Sequence, residues 1–270
     1  MLPAMLPPVI DTHCHLTNQR FANDRDAVIA AARAAGVVQM MTIGTGLDDA
    51  RACLALAERF PGVLACSAGL DPHTCFEAGD AFAMQLAELE TLLASGRFSA
   101  LGEIGLEYHH HVAPKEVQIV QFEAQLDLAV RLDLPVVIHS RDAHPDTTLV
   151  LARNPRSRGV IHSFTGNVDD VRGFLDLGWF ISLNGILTFK GSDDLRAAAK
   201  LVPADRLLVE TDAPYLAPLP LRGRRCEPVH VLHTVNFLAE LRGERPEDVA
   251  AWTTRNARQL FRFAALIPPA

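Results

Sequence analysis

The chain has 270 residues, of which 49% are hydrophobic and 21% charged, as is ordinary for a protein that buries a sizeable core. The formal net charge of −7 argues against a protein that coats nucleic acid through a diffuse basic surface, although a local site can still bind phosphate. Five cysteines, an odd number without CxxC spacing, indicate reduced thiols and therefore a cytoplasmic protein.

The start of the chain does not resemble a signal peptide, because its first eight residues contain prolines and no basic side chain. The sequence contains no run of about 18 apolar residues, so we predict no membrane span. No Gly-rich or Pro-rich linker, repeat or low-complexity tract divides the sequence, so we predict one domain over residues 1–270.

Short apolar runs alternate along the chain with amphipathic stretches, which is the pattern of strands followed by helices. The runs predict eight strands, over residues 9–16, 37–45, 63–70, 98–107, 135–142, 159–166, 179–187 and 207–216. Helices are predicted over 23–35 with Asn23 as N-cap, 47–59, 80–94 and 115–132, with closing helices over 228–241 and 246–263. This repetition favours a closed (β/α)8 TIM barrel, although alternation alone leaves a doubly wound open sheet as an alternative.

The strongest local signal for chemistry is the run Asp11-Thr-His-Cys-His15 in the first predicted strand. Residues two apart lie on one face of a strand, about 7 Å from each other along it, so His13 and His15 can converge on one metal ion. Cys14 then points the other way and is expected to be a buried apolar thiol.

Four later predicted strands each carry, near their end, a residue of a type that binds metals. The C-terminal ends of barrel strands form one rim, where the active sites of such barrels lie. Side chains far apart in sequence can therefore meet there, and we expect this of His13, His15, Glu103, His139, His162 and Asp212.

Several motifs, in the same order along nearly the whole chain, resemble the TatD family of metal-dependent hydrolases and DNases within the amidohydrolase superfamily. The matching segments are Asp11-Thr-His-Cys-His-Leu16, Gly102-Glu-Ile-Gly-Leu106, Ile138-His-Ser-Arg-Asp-Ala143, Ile161-His-Ser-Phe-Thr-Gly166, Glu210-Thr-Asp-Ala-Pro-Tyr-Leu216 and the later Asn256.

The resemblance implies two divalent cations. One would be held by His13, His15 and Asp212, and the other by His139 and His162, with Glu103 as the bridge between them. Zinc, manganese, nickel, iron and magnesium remain open as identities. Two carboxylates against about four positive charges would leave roughly +2 to attract a phosphodiester.

The implied reaction is two-metal hydrolysis by an activated water, with Asp212 accepting its proton and Glu103 as the second catalytic carboxylate. The substrate suggested by the family is single-stranded DNA, which would be shortened from its 3′ end. Neither binding to a membrane nor an obligate protein partner is expected. One alternative is an esterase or amidase such as a D-aminoacyl-tRNA deacylase. Another is a non-catalytic binding protein that metal stabilises.

Further polar residues flank these positions. Asp11 and Glu210 lie two residues from predicted ligands and can orient a histidine, with ordinary inward polar packing as the alternative. Candidates for contact with substrate, mostly as phosphate ligands, are Arg141, Lys190, His73 and the cluster of Arg222, Arg224 and Arg225, for which a solvated loop is an equal alternative. The run 109–111 of three histidines follows the strand that carries Glu103. We interpret it as a surface loop, with a position overhanging the site as the alternative.

Three positions depart from the family pattern. Asp71 stands where Gly-x-His-Pro has histidine, and an acid there would repel phosphate unless it is protonated, paired or turned away. Glu107 replaces an aspartate but can make the same hydrogen bond. Cys226 replaces an asparagine, and a thiol cannot both donate and accept as an amide does.

Overall fold

The computed structural model describes residues 6–261 and residue 263. Within them, eight strands form one parallel sheet whose spatial order follows the chain order from β1 to β8. The strands are β1 (Val9–Cys14), β2 (Val37–Gly44), β3 (Leu64–Ala68), β4 (Ala100–Glu107), β5 (Val136–Arg141), β6 (Gly159–Ile161), β7 (Phe180–Leu183) and β8 (Leu207–Val209). The predicted (β/α)8 TIM barrel is confirmed.

The described residues also form ten α-helices, eight of which follow the first seven strands and two of which follow β8. They are α1 (Arg25–Ala34), α2 (Leu47–Arg59), α3 (Pro72–Ala78), α4 (Phe82–Leu93), α5 (Lys115–Arg131), α6 (His144–Arg153), α7 (Val168–Asp176), α8 (Asp193–Leu201), α9 (Val231–Arg242) and α10 (Pro246–Phe261). None of these helices is long and apolar enough to cross a lipid bilayer.

The barrel closes where β1 meets the segment after β8. The Asp212 N–H donates to the His13 carbonyl oxygen at 2.9 Å, and the His15 N–H donates to the Ala213 carbonyl oxygen at 2.7 Å. Cys14 and Ala213 form a parallel bridge between the two segments. Closure therefore brings the two ends of the strand array, and the residues on them, to one seam.

Several predicted boundaries are wrong, and backbone conformation explains the longest errors. Strands β6 and β8 end at Ile161 and Val209, well short of 166 and 216. The chain turns soon afterwards at Ser163 (φ 45°) and Asp212 (φ 59°), and such angles are incompatible with an extended strand. Strand β7 likewise ends before a 3-10 turn, Gly185–Thr188.

Helix boundaries are closer to prediction. Helix α2 covers the predicted 47–59, but Asp24 rather than Asn23 occupies the N-cap position of α1. The seven-residue α3 was not predicted, although Asp71 followed by proline is a typical helix start. Helix α10 ends at Phe261, two residues before the predicted end, and the remainder of the predicted domain, 1–5, 262 and 264–270, lies outside the described residues.

Apolar side chains fill the barrel at the end where its strands begin. One buried cluster draws on seven of the eight strands, and only the barrel interior is shared by strands that lie so far apart in the sheet. Ala257, Leu260 and Phe261 of α10 belong to the same cluster, so this helix covers that end of the barrel. The opposite end, where the strands finish, is left for polar side chains.

Asn256 ties α10 to the start of β8, because its buried amide donates to the carbonyl oxygens of Ala204 and Leu207. Replacing it by alanine leaves both acceptors unsatisfied, and we expect Asn256→Ala to lower the free energy of unfolding by about 1–3 kcal/mol. Urea denaturation followed by circular dichroism measures the change. The matched control is Gln259→Ala on an exposed position of α10, and equal stability of the two variants would contradict this role.

Candidate metal centre

A cleft of about 860 Å³ opens at the C-terminal ends of the strands. Predicted site residues that line it are His15, Asp71, His73, Glu103, Glu107, His139, Arg141, His162 and Asp212. His13 lies beneath, fully buried, with its ring stacked on that of His162 at a centroid distance of 3.9 Å. The structure thus brings together all six residues predicted to bind metal.

The first group of ligand atoms converges at the seam of the barrel. The His13 Nε2 atom lies 3.2 Å from His15 Nε2, 3.5 Å from Glu103 Oε2 and 3.5 Å from Asp212 Oδ1. His15 Nε2 lies 3.3 Å from Asp212 Oδ1 and 3.9 Å from Glu103 Oε2. Ligands about 2.1 Å from a tetrahedral ion are about 3.4 Å from one another, so this donor set fits a divalent cation.

The second group faces the other oxygen of the same carboxylate. Glu103 Oε1 lies 2.8 Å from His139 Nδ1 and 2.9 Å from His162 Nε2, and these two nitrogens are 3.5 Å apart. The set therefore has only three protein ligand atoms, and a cation there would keep positions free for other ligands. Because its two oxygens face different groups, Glu103 is shaped to bridge them.

Close packing between β4 and β5 places Glu103 against His139. Gly105 has φ +143°, a conformation that side chains rarely adopt, and a Cβ atom on it would overlap the His139 carbonyl oxygen. The Gly-Glu-Ile-Gly sequence thus lets β4 approach β5 beside the two ligands.

The charges of these groups depend on one another. Burial opposes ionisation of Glu103, but the surrounding imidazoles, that of His162 foremost, hold its pKa well below the usual value. Burial likewise lowers the pKa of His139, but hydrogen bonds to Glu103 and Glu107 outweigh it and raise the pKa to about 9. Without an ion, protons on imidazole therefore balance the buried carboxylate, and a cation can replace them.

Glu107 holds His139 from the opposite side, because its Oε2 lies 3.1 Å from His139 Nε2. Such a carboxylate fixes the ring orientation of a metal-binding histidine and raises its basicity. The Gln118 amide in turn bonds both the N–H and the carbonyl oxygen of Glu107, which fixes the end of β4. In the sequence Glu107 stands out only as a departure from the family pattern, although its spacing of four from Glu103 on one strand indicates a shared face.

Of the two acids predicted to orient a histidine, one is beside a ring. Glu210 Oε1 accepts from the Ser163 N–H at 2.6 Å and lies 3.4 Å from His162 Nδ1. Asp11 instead accepts from the backbone N–H groups of His13 and Thr211 and from the Thr211 hydroxyl. Its described hydrogen bonds hold the backbone at the barrel seam, and none of them is made with an imidazole.

The basic candidates fall into two groups. Arg141 lines the cleft, whereas Lys190 is exposed and lies outside the described lining. Arg222 stacks on the Phe189 ring at 4.4 Å, and Arg225 pairs with Asp24 and Glu227. Their partners hold these two arginines in the loop that follows β8, and neither is among the residues that line the cleft. Arg224 is exposed there as well, so a phosphate site formed by the three arginines is not supported.

Two of the departures from the family pattern have structural explanations. Asp71 caps α3 by accepting from the Thr74 N–H at 2.8 Å, so one of its oxygens is paired although it lines the cleft. Burial raises its pKa. Cys226 is buried, its Sγ lies 3.9 Å from the carbonyl oxygen of Thr211, and it is not among the residues that line the cleft.

Tyr215 is a cleft residue that sequence analysis did not single out. The residue is 46% exposed, its ring lies 6.1 Å from the His15 ring, and its hydroxyl accepts from the Asn18 amide at 3.2 Å. An aromatic face beside a metal centre can stack a nucleobase. The sequence signals were its place three residues after Asp212 and its membership of the matching segment that ends at Leu216.

Comparisons with known proteins agree with this architecture. The model of a family described as TatD related DNase matches residues 10–262. A 3′-5′ ssDNA/RNA exonuclease TatD from Erwinia billingiae is 38% identical over 264 residues, covering 95% of this chain and all of that protein. An uncharacterized metal-dependent hydrolase, YabD of Bacillus subtilis, is 34% identical over 94% of this chain and 99% of its own length.

Solved structures show the same barrel. The crystal structure of YjjV, a TatD homologue from Escherichia coli, superposes with a TM-score of 0.87 at 31% identity, covering 95% of this chain and 98% of that one. An organophosphorus hydrolase mutant superposes with a TM-score of 0.70 at 18% identity, a likeness that concerns the fold alone.

The contact between Glu210 and His162 gives a prediction about metal affinity. Glu210→Gln keeps an acceptor for the Ser163 N–H but removes the charge beside His162 Nδ1, so we expect cation affinity to fall by about 10–100-fold. Competition between the protein and a chromogenic chelator measures the affinity. Glu247→Gln, at an exposed position of α10, is the control. Unchanged affinity in folded Glu210→Gln would limit Glu210 to a packing role.

Proposed function

The chain belongs to the family of TatD-related DNases, and on this premise we propose that it removes nucleotides from the 3′ end of single-stranded DNA with two divalent cations. The observation that carries the proposal is the position of Glu103, whose two oxygens face separate groups of ligands. His13, His15 and Asp212 would hold one ion, His139 and His162 the other, and Glu103 would contact both.

When bound, two such ions lower the pKa of water and stabilise charge on the attacking and leaving oxygens of a phosphodiester. The protein's own groups supply positioning and proton transfer. Burial opposes ionisation of Asp212, but the hydrogen bond with His15 and the neighbouring imidazoles lower its pKa. The carboxylate therefore stays deprotonated and is available to accept a proton. Arg141, which lines the same cleft, can donate to a phosphate oxygen of the strand.

The donor set favours some metals. Imidazole and carboxylate ligands suit zinc, manganese, nickel and iron, whereas magnesium ordinarily takes more oxygen ligands. Four of the six proposed ligands are imidazoles. We therefore expect transition metals to bind more tightly than magnesium.

We also propose that the protein acts in the cytoplasm. All five cysteines are free and buried, which agrees with a reducing compartment. The thiols of Cys53 and Cys75 have pKa values raised to about 12 by burial, so they are inert at neutral pH.

The direct test uses metal-free protein refilled with each metal in turn and mixed with end-labelled single-stranded DNA. We expect a ladder of products shortened from the 3′ end, and at least 100-fold slower hydrolysis by His139→Asn because one cation loses a ligand. His109→Asn is the control, since that exposed ring pairs with Asp142 instead. D-aminoacyl-tRNA serves as a second substrate. The proposal would be overturned if the protein cleaved that ester but left DNA uncleaved. Full activity of folded His139→Asn would overturn it as well.

Tyr215 gives a prediction about substrate binding. Stacking on one base contributes about 1–3 kcal/mol, so Tyr215→Ala should raise KM for an oligonucleotide by about 5–150-fold. Tyr215→Phe keeps the aromatic face and should remain within a few fold of the unmodified protein. Hydrolysis of a phosphodiester without bases, such as bis(p-nitrophenyl) phosphate, should change little in either variant. An equal loss on both substrates would exclude stacking.

A further inference from the structure

A second group of metal-binding residue types lies in the cleft beside the centre described above. It consists of His73, Glu107 and His110, whose ligand atoms all lie within 4.8 Å of one another. His110 Nδ1 is 3.3 Å from Glu107 Oε2, and the two imidazole rings are 5.9 Å apart at 54°. All three residues line the cleft.

Two neighbouring loops hold this group in place. His73 follows the capping Asp71 in the first turn of α3, after β3. His110 lies in the loop after β4, where its N–H donates to Glu107 Oε1 at 3.1 Å. Glu107 is buried, whereas both imidazoles are exposed, so the group is anchored from below and open to solvent above.

The imidazole of His73 has no hydrogen-bond partner among the described residues, and its one described ring contact is with His110. Two imidazoles and a buried carboxylate thus face a common point, and the hydrogen bonds among them do not use all of their donor and acceptor atoms. Three protein ligands with open positions toward solvent are typical of metal sites that also take water or substrate.

The charge of the cleft gives an independent argument. Five carboxylates but one arginine line it, because Asp49, Asp71 and Glu107 join Glu103 and Asp212. The surplus positive charge of roughly +2 expected from the sequence counted only the carboxylates of Glu103 and Asp212. Against the whole lining, two divalent cations reach about neutrality, and a third would make the cleft positive by about two charges.

We propose that His73, Glu107 and His110 bind a third divalent cation at the rim of the cleft. Imidazole ligands favour a borderline transition metal such as zinc or nickel over magnesium. The site itself does not depend on the proposed function. Its role rests on that function: the open positions of the ion take a phosphate oxygen of the bound strand and offset the charge of Asp71.

The test counts zinc bound to the full chain. Metal-free protein is dialysed to equilibrium against excess zinc, and zinc is measured by mass spectrometry. We expect three zinc ions per chain, and two for the double variant His73→Asn/His110→Asn, which leaves all six residues of the main centre intact. His111→Asn, at the adjacent exposed histidine, is the matched control and should keep three.

Two zinc ions in the unmodified protein, or three in the folded double variant, would overturn the inference. Anomalous diffraction from zinc-loaded crystals gives a second measurement, with a peak expected between His73 and His110. Hydrolysis of DNA is assayed separately on the same preparations. Three ions without hydrolysis would leave the site standing and reject the nuclease proposal, whereas hydrolysis with two ions would do the reverse.

Discussion

The carboxylate of Glu103 is the one group that connects everything at the mouth of this barrel. One of its oxygens lies 3.5 Å from His13 Nε2, and the other lies 2.8 Å from His139 Nδ1 and 2.9 Å from His162 Nε2. A buried carboxylate is costly unless positive charge surrounds it. Protons on imidazole supply that charge in the metal-free chain, and cations can supply it otherwise. The arrangement of the other ligands follows from this shared position.

Barrel closure is what makes the shared position possible. His13 and His15 come from the first strand, and Asp212 comes from the segment after the last, 197 residues away from His15 in sequence. Backbone hydrogen bonds from Asp212 and His15 across the seam join these segments, and Asp11 strengthens the seam by binding Thr211. Apolar side chains fill the opposite end of the barrel, and the polar groups form a cleft at this end. A fold that failed to close would separate the ligands even if each strand formed.

Sequence predicted the barrel and the convergence of the six candidate ligands because both follow from local patterns. Apolar runs mark strands, and residues of metal-binding types near the ends of five strands need only the rule that strand ends meet. Other features depend on side-chain direction, which no local pattern gives. Asp11 bonds to Thr211, Glu107 proved to hold His139, and Cys226 is not among the residues that line the cleft. The charge of the cleft was overestimated for the same reason, since Asp49 and Asp71 join its lining from separate helix starts.

Diffraction from crystals loaded with manganese or zinc, recorded at the absorption edge of the metal, tests the central claim most directly. The account predicts one anomalous peak on each side of the Glu103 carboxylate, the first within about 2.3 Å of the His13 and His15 Nε2 atoms, the second equally close to the ligand nitrogens of His139 and His162. The absence of both peaks from fully loaded crystals, or peaks that do not contact Glu103, would contradict it.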